Sequence, residues 1–263
     1  MLQTLCVEGE IVSPIFENAL DSLKVGMRFY MSGNQYSTRK HAILTVFHSI
    51  ELMLKEYLYQ VNPILIYRNI DKKITADSTT VGFSEILVRL ENLKLGIPED
   101  QAKAIRNLQS KRNSIEHHRY DHQDEDRELI SQALRFILYF MEFQLNQQPE
   151  RLIEPELLSD IRELVEDYNE RYAISDHRLE SWIKEKWPDW NPEVEDTPDE
   201  FVGVSDCPQC RNEYLVMEQK GEPYCFWCCL EVPAEYCEIC GRTKLVDVPC
   251  CEDDGGPHLR LVT

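Results

Sequence analysis

Nine of the ten cysteines in this chain fall between Cys207 and Cys251, six of them in pairs with two residues between. Cys207-Pro-Gln-Cys210 is followed, after fourteen residues, by Cys225-Phe-Trp-Cys228. Two thiolate pairs joined by an insert of hairpin length can enclose one tetrahedral Zn²⁺ with bonds of about 2.3 Å, and the metal then replaces a core that so short a segment cannot build. A third pair, Cys237-Glu-Ile-Cys240, precedes Cys250, Cys251 and His258. It points to a second zinc on Cys237, Cys240 and Cys250, the last ligand coming from Cys251, His258 or a carboxylate. The pairs can serve the metals in sequence or cross-braced, with alternate pairs sharing an ion; the sequential scheme is simpler. Cys229 reads as a spare thiol. Closed four-ligand sites leave no open position for catalysis, so one or two structural zinc ions per chain are expected, in a module that serves structure or partner binding.

A second group of reactive types is Lys111-Arg112-Asn113-Ser114-Ile115-Glu116-His117-His118. Histidine titrates near neutrality and moves protons, while a guanidinium stays charged and grips phosphate oxygens in pairs. Together they suit cleavage of RNA without a metal: a 2′-hydroxyl loses a proton, a 5′-oxygen gains one, and the phosphate between them carries extra charge. On a helix, Asn113 and His117 lie on adjoining turns of one face, but Arg112 is about 140° round from His117. One helix alone does not assemble the site. An ordinary i,i+4 ion pair between Arg112 and Glu116 also fits the spacing. Glu51 and Glu116 could orient Arg112 or a histidine, and His41 and His48 read as packed or hydrogen-bonded helix residues.

The Arg112-Asn113-x-x-x-His117 pattern, in a helix following HSIELMLKEYLY at residues 48–59, resembles the HEPN superfamily over roughly residues 14–145. That resemblance implies an up-and-down helical bundle and a metal-independent endoribonuclease, acting as a toxin or antiviral defence effector on RNA. Arg112, His117 and Asn113 would be its catalytic residues. It also implies a homodimer, in which two such helices meet and both motifs line one cleft. His118 fits a longer arginine-to-histidine spacing known within the superfamily. The alternative is a HEPN-like domain without catalysis that binds nucleotide or protein partners. The cysteine module is similar to tandem zinc ribbons, in which knuckles usually carry glycine at the position of Cys229.

The elements that must position these groups are mainly helical. Ile43, Phe47, Ile50, Leu54 and Tyr57 recur at three- and four-residue spacing, as do Ile130, Leu134, Ile137, Met141 and Leu145. Breaks fall near Gly33, at Asn62 and Pro63, from Asp71 to Gly82, and from Gly96 to Pro98. This predicts a helical domain over 1–148, with one helix running from Glu128 to Leu145, then an amphipathic helical extension over 149–187. An acidic, proline-rich linker follows at 188–206, and a zinc-ribbon module with short β-hairpins occupies 207–263. Residues 1–148 hold 17 basic and 19 acidic side chains, whereas 149–263 hold 11 and 28, a net −17. Phosphate is repelled by such a surface, which argues against nucleic-acid binding by the C-terminal half; the resemblance implies an antitoxin or trigger partner there instead. The first sixteen residues lack a positive n-region and a long apolar run, and no stretch is apolar enough for a membrane span. A cytoplasmic setting, where thiols stay reduced and clustered cysteines hold metal, is the expectation.

Overall fold

Ser13 and Pro14 open the first helix, α1 (Pro14–Met31). The serine hydroxyl accepts the amide of Phe16 at 3.2 Å, and proline at the first position forfeits only an amide with no helical partner. The computed structural model describes residues 6–7, 10–11, 13–33, 35–117, 125–190, 198, 201–210, 212–218, 221–237, 241 and 243–246. Before α1, a two-strand ladder pairs β1 (Cys6–Val7) with β2 (Glu10–Ile11). Phe16, Ala19, Leu23 and Met27 form the inner stripe of α1, and they meet Ala42, Ile43, Val46, Ile50 and Met53 of α2 (Tyr36–Val61). The two helices approach closely at Gly26, where a Cβ would lie 2.8 Å from Val46 Cγ2 and 3.1 Å from the Val46 amide nitrogen. In the same dry interface the Ser49 hydroxyl donates to the Ala19 carbonyl at 2.7 Å.

Asn62 ends α2 and its side chain accepts the Ile64 amide at 3.1 Å, opening a 3₁₀ turn over Pro63–Ile66. Helix α3 (Phe83–Asn92) is anchored by Glu85, which accepts the Gly82 amide at 2.9 Å, and by Arg89, which donates to the Tyr67 carbonyl at 2.9 Å. Next come α4 (Glu99–His117) and α5 (Glu125–Tyr139), which pack on each other and on α2. The sequence predicts one helix from Glu128 to Leu145, but its last turn, Phe140–Gln144, is π-helical. The wider turn keeps Phe140, Met141 and Leu145 buried and swings Phe143 outward to 65 % exposure.

A short α6 (Pro149–Leu152) leads into the long α7 (Pro155–Lys186). Ile153, Leu158, Ile161 and Leu164 belong to the bundle core, and the first compact unit runs to Tyr168. The core therefore passes the position 148 expected from sequence, because the apolar stripe of α7 is covered only by joining the bundle. The second unit, Asn169–Thr263, takes the rest of α7 and a small sheet. Strands β3 (Phe201–Ser205), β4 (Leu215–Glu218), β5 (Tyr224–Cys225) and β6 (Leu230–Glu231) pair antiparallel in chain order. Strand β3 starts inside the stretch read as linker, where Phe201 packs on Trp182, Trp187 and Trp190. A separate hairpin pairs β7 (Ala234–Tyr236) with β8 (Thr243–Leu245). The architecture is thus mainly α, with short antiparallel strands toward the C-terminal end, and among the described residues no helix is long and apolar enough to cross a membrane.

The close approach at Gly26 has a measurable consequence. Alanine there gains about 1 kcal/mol of helix propensity but forces two packed backbones apart, and overpacking costs about 1–3 kcal/mol. Gly26→Ala is expected to lower the thermal midpoint; a midpoint at or above that of the parent would contradict the packing described.

Candidate functional site

The β4–β5 ladder brings the first two cysteine pairs face to face, with Leu215 opposite Cys225 in the register. Each pair sits in a tight turn of its own. The Cys207 amide donates to the Asn212 carbonyl at 3.0 Å, and the Asn212 side chain donates to the Cys210 carbonyl at 3.1 Å. The Cys229 amide donates to the Cys225 carbonyl at 2.8 Å, closing the second knuckle with Cys229 at φ +56°. That is the left-handed conformation glycine favours.

All four sulfurs lie within 4.8 Å of one another. Cys207 and Cys228 are 3.9 Å apart, and Cys210 and Cys225 are 3.7 Å apart. Both distances are far too long for a disulfide. They match the edge of about 3.8 Å in a tetrahedron with metal–sulfur bonds of about 2.3 Å. Crowding divides the protons unequally: hydrogen bonds from Cys210 and Cys225 hold the Cys207 thiol down to about 2, its partnership with Cys207 pushes Cys225 up to about 12, and burial pushes Cys228 up to about 12. A cation entering the cluster has to displace those protons. The tetrad can hold a metal ion.

Cys237 is buried at the end of β7, and the Gly241 amide donates to its carbonyl at 2.8 Å with Gly241 at φ +70°. The Cys225 carbonyl accepts from the Cys229 amide over the same four-residue span. The other residues expected at a second site, Cys240 and Cys250 with Cys251 or His258, lie outside the described residues.

On α4, Arg112 is half-buried beside α2, its guanidinium 5.7 Å from the centre of the Phe47 ring. It forms an ion pair of 2.9 Å with Glu116 and donates to Asn113 Oδ1 at 2.9 Å. His117, on the last turn, is exposed; His118 lies outside the described residues. The ordinary i,i+4 pair is therefore made, and within one chain Arg112 and Asn113 are joined while His117 stands apart. Of the two candidate orienting carboxylates, Glu116 holds Arg112, and Glu51 pairs with Lys55 at 2.7 Å. His41 and His48 are exposed, the former with its ring 5.3 Å from Phe29.

Sequence reasoning missed a neighbour. Lys111 and Asp126 form an ion pair of 3.1 Å between α4 and α5, with side-chain exposures of only 10 % and 2 %. The signal was legible: Lys111 falls on the spacing of Ile105, Leu108 and Ile115, and a lysine on a buried stripe needs an acid. Comparison with protein-family models, curated proteins and solved structures gives no match.

Two outcomes follow from this geometry. Metal uptake releases thiol protons, so bound metal is expected to be lost as the pH falls; elemental analysis along a pH series with chelator present checks this, and a metal content unchanged into strong acid would contradict it. Asp126→Ala removes the buried carboxylate that pairs with Lys111 and is expected to cost about 3–5 kcal/mol in chemical denaturation, whereas Lys111→Met with Asp126→Leu is expected to be near neutral.

Proposed function

We propose that the chain is a metal-independent endoribonuclease of the HEPN type, a homodimeric toxin or antiviral defence effector of the cytoplasm, carrying structural Zn²⁺ on Cys207, Cys210, Cys225 and Cys228. One observation carries the enzyme reading: Arg112, its bonded partner Asn113 and the exposed His117 all stand on the solvent-accessible last turns of α4. An i,i+4 ion pair along a helix is worth only about 0.3–0.5 kcal/mol, so Glu116 yields to a phosphate that offers Arg112 two charged oxygens. Asn113 then donates its amide to the same phosphate. His117 takes the 2′-hydroxyl proton, and the His117 of a second copy, brought in by dimerisation, protonates the leaving 5′-oxygen. The acidic second half serves an antitoxin or trigger partner and keeps RNA off its own surface.

The thiol-only donor set and tetrahedral spacing favour zinc over oxygen-seeking ions. A second reading, a partner-binding adaptor without catalysis, is favoured by the one observation that Glu116 already occupies Arg112.

Purified protein is expected to cut RNA in excess EDTA, to leave 2′,3′-cyclic phosphate ends and to spare DNA, which has no 2′-hydroxyl. Arg112→Ala or His117→Ala should each slow cleavage by about a hundredfold or more. Glu116→Gln should equal or exceed the parent, since it frees Arg112. If Arg112→Ala and His117→Ala, folded and dimeric by sedimentation, cut as fast as the parent, the adaptor reading replaces the enzyme; if only His118→Ala is slow, the longer spacing is the right one.

A further inference from the structure

The second half of α7 is polar almost all round. From Asn169 to Lys186 the residues shielded from solvent are Ser175, Leu179, Trp182 and Ile183, too narrow a stripe for a helix to stand on alone. Trp182 of that stripe packs against Trp187, Phe201 and the cysteine module, and several of the module's contacts with this stretch come from the ligand knuckle. Phe226 and Trp227, the two residues between Cys225 and Cys228, reach α7: Phe226 packs on Trp182 with ring centres 5.8 Å apart, and Arg171 lies 5.5 Å from the centre of the Trp227 ring. Cys229, next to the last ligand, accepts a hydrogen bond from Arg178 at 3.1 Å. Tyr214 extends the contact by donating to Asp176 at 3.3 Å, and its ring is in turn packed on Trp227.

We infer that metal occupancy of the tetrad decides whether residues 169–186 stay helical, because the turn that supplies two ligands is also the surface on which this stretch of α7 folds. The chain thereby gains a metal-sensitive helix, separate from any chemistry at Arg112. Cys229 is no spare thiol in this scheme: its left-handed turn aims the sulfur at Arg178. The coupling is reciprocal, since a helix that docks on the closed knuckle also resists its opening. The inference rests on the tetrad being a metal site, and the experiment separates the two claims.

Hydrogen exchange of the full-length protein, with and without chelator and with metal content measured in parallel, reads the coupling directly. On metal removal, amides of 175–186 are expected to exchange at least tenfold faster, while those of the buried stripe of α2 are unchanged. Trp182→Ala leaves every cysteine in place and substitutes a better helix former, yet it is expected to speed exchange in 175–186 at least tenfold and to hasten metal loss to chelator. Metal-free protein, or the Trp182→Ala variant, that protects 175–186 as well as the metal-bound parent overturns the inference alone. Protein that takes up no Zn²⁺ and still protects 175–186 overturns the metal site with it.

Discussion

Four cysteine sulfurs lie within 4.8 Å of one another, brought together from two tight turns beside the β4–β5 ladder, and the cysteine module packs around that cluster. Leu215, Val216 and Met217 bury one short strand, and Phe226 and Trp227 lie inside the knuckle itself. The thiol cluster ties the turn after β3 to the turn after β5, beside the β4–β5 ladder and the contact of Phe226 with Trp182. A metal ion held there would serve as the core of its unit, its charge offset by thiolates in place of apolar burial.

The first unit solves the same problem in the opposite way. Its core is apolar and continuous, from Phe16 on α1 to Leu164 on α7, and needs no ion. A deep ionic contact, Lys111 with Asp126, joins α4 to α5 beside Arg112. Such a pair contributes little net stability against an apolar alternative, but it penalises any register that separates the two charges. Arg112 follows Lys111 directly, so what fixes the rotation of α4 also fixes where that guanidinium stands. The face proposed to cut RNA rests on a buried charge pair, and the module proposed to hold zinc rests on a buried charge cluster.

Legibility from sequence followed the range of the interactions. The clustering of the cysteines was readable because two thiols with two residues between them fit one tight turn, and the α2 stripe from Ile43 to Leu54 was readable because a helix repeats locally. The i,i+4 contact of Arg112 with Glu116 was readable for the same reason. What was not readable depends on residues far away in the chain. The partner of Lys111 is on another helix, that of Cys229 is Arg178, and the end of the bundle core lies within α7 because only the assembled bundle shows which apolar stripe it covers. The π turn after Tyr139 likewise answers to packing, since Met141 and Leu145 keep the helical spacing and give no sign of it.

The claim that the tetrad is the core of its unit is tested most directly by an anomalous-scattering map collected at the zinc absorption edge from crystals of the full chain. The account requires a peak equidistant from the sulfurs of Cys207, Cys210, Cys225 and Cys228, at about 2.3 Å from each. A peak shared between one of these pairs and Cys237, or four cysteines with no peak among them in protein grown with zinc, would contradict it.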